Sequence, residues 1–212
     1  PAANHNVLGE RETVHAVAFA IANVCADPKV SGREREEGSP APPAPLALTE
    51  DGAKLGGNFN VWVDDGENGM DVVFARVAYL LATMKQRLAL DAATLVSALV
   101  LWERAVRSGV AATGETVRPL LVAATYLASK QHEDELLLVD DMRTRLPELS
   151  LGNLFELEAA LCSALGWDVM VWPGVWDHYA DGLRGLMDER GELVADWVER
   201  HRVNDAFVLA GV

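Results

Sequence analysis

Val117-Arg-Pro-Leu-Leu-Val-Ala-Ala-Thr-Tyr-Leu-Ala-Ser-Lys130 decides the fold class. Val117, Leu121, Ala124 and Ala128 recur at helical spacing, so the segment predicts a helix over about Glu115 to Gln131. Its small residues, Ala123, Ala124, Ala128 and Ser129, permit close approach by neighbouring helices. That composition suits a central helix wrapped by others.

The flanking segments repeat the helical period. Towards the amino end, Val73, Val77, Leu80, Leu81 and Met84 stripe one helix from Met70. Asp91 offers an N-cap for a second, with Leu95, Leu99, Glu103 and Val106 on one face, and Gly109 to Gly114 breaks it. Towards the carboxyl end, a short helix is expected over Leu138 to Leu146, ending before Pro147. Ser150 caps the next, striped by Leu154, Leu157, Glu158, Leu161, Cys162 and Leu165 and stopped by Gly166. After Trp172-Pro173, two further helices are expected, Val175 to Met187 and Leu193 onward. Ahead of all these, Val14, Ala18, Ile21 and Cys25 predict an amphipathic helix over Glu10 to Asp27. No strand alternation and no internal repeat interrupt the series, and consecutive helices with short loops make an all-α domain.

Two stretches read differently. Residues 31–45 are charged and then Pro-rich, an exposed linker. Gly52 to Gly69 is rich in Gly, Asp and Asn, with Phe59, Val61 and Trp62 pinning it to the domain. The expected organisation is residues 1–69 as a helix plus flexible segment, 70–185 as the helical domain, and 186–212 as a helical extension.

Composition narrows the function. The chain has 212 residues, a formal charge of −14 and half its residues hydrophobic. An acidic surface lacks the basic footprint that nucleic-acid binding requires and favours a basic protein partner. No apolar run approaches the roughly 18 residues of a membrane span. Cys25 and Cys162 lie in apolar helical contexts and read as buried thiols in a reducing compartment. His5, His15, His132, His178 and His201 are scattered without metal-ligand spacing, so no metal or other cofactor is expected. His132-Glu133-Asp134 reads as a solvated helix end, Gly52 to Gly57 lacks the strand of a phosphate loop, and no Gly-x-Ser-x-Gly elbow occurs. These signals point away from an enzyme.

Three segments together resemble the cyclin box. Ala98-Leu-Val-Leu-Trp-Glu-Arg104 resembles the end of its second helix, Val117 to Lys130 its central helix, and Leu154-Phe-Glu-Leu-Glu-Ala-Ala-Leu-Cys-Ser-Ala-Leu-Gly-Trp-Asp-Val169 its fifth. The long amino end and Arg118-Pro-Leu-Leu are closer to the cyclin Y and PCL-type group. The resemblance implies a single five-helix cyclin box with extra amino- and carboxyl-terminal helices. It implies a non-catalytic regulatory subunit that binds and activates a cyclin-dependent protein kinase, monomeric apart from that kinase and located in the cytoplasm or nucleus. A cyclin-fold adaptor or transcription-related module without a kinase is the second reading.

By the same resemblance, Lys130 and Glu158 sit together and grip backbone groups beside the kinase's mobile helix. An ion pair joining two helices is the structural role open to the same residues. Glu103 is expected to pair with an arginine of the first box helix; Phe74 occupies the matching position, and Arg76 is the nearest candidate. Val73-Phe-Ala-Arg-Val77 replaces the Met-Arg-Ala-Ile-Leu patch by which cell-cycle cyclins dock substrates. Trp167 and Trp176 are expected in the core; Trp62 and Trp172 are the tryptophans better placed to meet a partner, although core anchoring is the first reading for them too.

Overall fold

The computed structural model describes residues 8–26, 69–112, 116–132, 138–146 and 154–203. Among these the chain is all-α, with seven helices: α1 Glu10–Ala26, α2 Met70–Leu88, α3 Ala92–Arg107, α4 Val117–His132, α5 Val139–Arg145, α6 Leu154–Ala164 and α7 Pro173–Arg200. The expected linker at 31–45, the 52–68 segment with Trp62, and Ser150 lie outside the described residues.

Local chemistry sets the helix ends. Asp91 caps α3 by accepting a 2.6 Å hydrogen bond from the Thr94 N–H, as its position before the apolar stripe requires. At the other end of α3, Gly109 takes a φ of 104°. The Val110 N–H then reaches back to the Ala105 carbonyl, and the Gly109 N–H to that of Val106. This crossed pair satisfies carbonyls that the helix end would otherwise leave bare. The same device closes α6. Gly166 (φ 59°) donates to Ser163, and Trp167 donates to Cys162 at 2.8 Å.

The core is laid down around α3 and α4. Every residue from Val117 to Ser129 is buried, so α4 is enclosed on all sides. Its proline, Pro119, sits in the first turn, where the missing N–H has no intrahelical partner to lose. α3 lies against α4, α1 and α7, and its Leu95, Leu101 and Trp102 are fully buried. α2 packs on α1, α5 and α7, while α6 packs on α4.

Two sequence expectations need correction. First, α1 is no appendage, because its Val14, Val17 and Ile21 are fully buried in the same core as α2 and α3. Second, the expected boundary at residue 185 falls inside α7, a single 28-residue helix where two were expected. Gly182, Gly185 and Gly191 weakened the periodic signal but do not break the helix. Its carboxyl half is anchored by Trp197, whose ring lies 5.3 Å from that of Phe19 and 5.5 Å from that of Phe74. Such aromatic pairs contribute about 0.5–1.5 kcal/mol each beyond the area they bury. At the end of α7, the Asp71 carboxylate at the start of α2 receives Arg200 at 3.3 Å and His201 at 3.1 Å. Those contacts fasten the last turn to the domain.

Candidate functional site

Lys130 ends the central helix. Leu120, Ala123 and Leu127 on its line are buried, so its stem rises directly out of the core. Its ammonium stands in the last turn of α4, where the helix dipole favours a cation. On α6, Leu154, Leu157 and Leu161 face inward, and Glu158 stands at the edge of that face. The Lys130 Nζ donates to Glu158 Oε1 at 2.5 Å. The two side chains retain 29% and 19% of their exposure, so the pair is at the surface but not fully hydrated.

A third group supports the cation, since the Tyr126 ring lies 4.4 Å from Lys130 Nζ. Burial works against the charge on Lys130, yet the Glu158 carboxylate and Tyr126 more than offset it and hold the pKa above its ordinary value. One turn beyond Glu158, burial pushes the Cys162 thiol up, and Glu158 adds to that while Lys130 opposes it. Cys162 and Cys25 are both free thiols, and burial pushes Cys25 up to about 12. Neither therefore carries much thiolate near neutral pH.

For the second expected pair, Arg76 with Glu103, the structure gives other partners to Glu103: it receives the Tyr179 hydroxyl at 2.6 Å and is bridged by Arg107 one turn along α3. The reason is α7, which brings Tyr179 across the end of α3. Burial, followed by the bond to Glu103, pushes the Tyr179 hydroxyl up to about 12, so it remains a donor. Nothing in the α3 stripe announced this tyrosine. Glu103 on an apolar face signalled that a partner was needed, but not which one.

Two further residues went unnoticed in the sequence. Gln131 donates to the Val169 carbonyl at 2.8 Å and accepts from the Val171 N–H at 3.1 Å. Arg104 donates to the carbonyls of Met170 at 2.9 Å and Asp168 at 3.3 Å. Together they clamp the connection between α6 and α7. Trp176 packs on the core, as expected, and donates to the Ala93 carbonyl at 3.3 Å. Trp167, by contrast, is 72% exposed, because the Schellman turn throws it outward from the end of α6. Trp172 is 63% exposed, and Phe155, one turn before Glu158, is 63% exposed as well.

His132 accepts or donates a 2.6 Å hydrogen bond with Ser97, whose side chain is fully buried beneath it. That contact joins α3 to the end of α4; Glu133 and Asp134 lie outside the described residues. Among the described residues no cluster of three or more His, Cys, Asp or Glu could hold a metal ion, and no helix is long and apolar enough to cross a membrane. No family model, curated protein or solved structure matches the chain.

Proposed function

We propose that this chain is a cyclin-box regulatory subunit that binds and activates a cyclin-dependent protein kinase. The observation that carries the reading is the contact of Lys130 with Glu158, partly exposed at the end of an enclosed helix. Both residues were singled out by the cyclin-like sequence segments, and they lie far apart in the chain. Lys130 offers further N–H donors for carbonyls, and the second oxygen of Glu158 offers an acceptor for amides. A pair of this kind can hold the backbone of another protein without demanding a particular side chain there. Exposed Phe155 on the same helix as Glu158 would supply apolar contact beside it.

The mechanism is a shift of population. A kinase on its own spends little time with its mobile helix packed inward. A rigid face that binds only the inward state raises its share by the difference in binding energy between the two states. α4 is suited to that work because its burial makes its exposed end stiff. All catalytic groups, ATP and magnesium would belong to the kinase. The test is reconstitution: the purified chain is added to a panel of cyclin-dependent kinases and phosphate transfer to a histone substrate is followed. The expected result is strong stimulation of at least one kinase, with a stable complex on gel filtration. Stimulation of none, with no complex formed, overturns the proposal.

A further inference from the structure

The connection between α6 and α7 is built in an unusual way. Trp167, Met170 and Trp172 are 72%, 47% and 63% exposed, three large apolar side chains within one short strap. The strap is nevertheless held firmly. Gln131 takes the backbone of Val169 and Val171, and Arg104 takes the carbonyls of Asp168 and Met170. Val171 between them is buried as an anchor. Trp167 also occupies the left-handed region with φ 66°, a conformation that a bulky residue adopts rarely and at a cost of about 1–3 kcal/mol. Backbone clamps and a strained tryptophan thus hold apolar rings in water. Rigid, exposed tryptophans are the side chains from which binding hot spots are made, because little entropy is lost when they are covered.

Charge selects the occupant. The Asp168 carboxylate lies 4.0 Å from Arg104 yet remains 74% exposed within the strap, Asp177 is exposed one turn into α7, and the whole chain carries −14. A second copy of so acidic a chain, or an anionic lipid surface, would be repelled. The Asp168, Val169 and Met170 carbonyls and the Val171 N–H are already engaged, which leaves the exposed side chains as the main surface for recognition. We propose that the Trp167–Trp172 strap is a docking surface for a segment of another protein in which apolar side chains alternate with lysines or arginines. No part of this depends on the kinase assignment.

The experiment uses the full chain and a fluorescein-labelled probe peptide, Lys-Arg-Leu-Lys-Phe-Leu-Arg-Lys, with a control in which leucine and phenylalanine become serine. Anisotropy is read at about 150 mM salt, where long-range attraction is largely screened. The expected result is binding of the probe but not of the serine control. The double variant Trp167→Ser/Trp172→Ser should then bind about tenfold or more weakly, as hot-spot loss implies. Asp168→Asn should weaken binding less and flatten its salt dependence. Far-UV circular dichroism checks the fold, and Met170→Ser alone serves should the double variant unfold. Equal binding by wild type and variants, or no binding of the probe, overturns the proposal. So does a wild-type dimer in sedimentation that the double variant dissociates, or tryptophan-dependent binding to phosphatidylserine vesicles.

Discussion

At the scale of single residues, partners determine what each polar group can do. Glu103 shows this most clearly. On its own it would be a carboxylate on an apolar stripe; with Tyr179 and Arg107 it becomes a fastening between α3 and α7. Tyr179→Phe leaves one carboxylate oxygen of this half-buried group without its donor. The expected loss is about 1–3 kcal/mol of unfolding free energy, read from urea denaturation. His15 makes a second prediction. Burial, helped by Arg11 and opposed by Glu12, holds its pKa below the ordinary 6.5. The native chain therefore binds fewer protons than the unfolded chain in the window just beneath pH 6.5. Its contribution to stability is complete above that pH and declines as the pH falls through the window. Denaturation midpoints across pH 5 to 7 should show this slope, and His15→Gln should flatten it; an unchanged slope in the variant would assign the effect elsewhere.

At the scale of the element, the sequence was legible wherever a helix both began on a cap and faced the core. Asp91 before α3 and the glycines after α3 and α6 marked ends that the structure reproduces. The stripe of α4 announced its enclosure. α7 was misread as two helices for a physical reason. Only Leu183, Val194, Trp197 and Val198 of its residues are buried, and three interior glycines fall among its acidic positions. Its continuity rests on packing against α1, α2 and α3, which no local pattern records. Because a Cβ at Gly182, Gly185 or Gly191 would meet nothing within 4 Å, alanine fits each site. Each substitution should stabilise the chain by about 0.5–1 kcal/mol, since alanine loses less backbone freedom in a helix. A loss of stability on Gly191→Ala would show that α7 bends or breaks there.

At the scale of the whole molecule, α1 and α7 belong to the domain that the sequence divided at residues 69 and 185. Trp197 is the clasp, in contact with Phe19 of α1 and Phe74 of α2. Trp197→Ala should cost about 3–5 kcal/mol and lower the thermal midpoint of the entire protein in one cooperative transition. Two separate transitions would restore the division. The candidate site was legible in half. Lys130 and Glu158 were visible because cyclin-like segments contain them. The clamps Gln131 and Arg104, and the outward Trp167, were not, since each depends on the path of a loop fixed by contacts distant in sequence.

The central claim is that Lys130 in the last turn of α4 and Glu158 midway along α6 form a face for a kinase. It is tested most directly by calorimetric titration of an activated cyclin-dependent kinase with wild type, Lys130→Ala and Glu158→Ala. Each variant should keep the wild-type circular dichroism spectrum and lose about tenfold or more in affinity, in proportion to its loss of kinase stimulation. Wild-type affinity and stimulation in both variants would leave Lys130 and Glu158 as a fastening between two helices and nothing more.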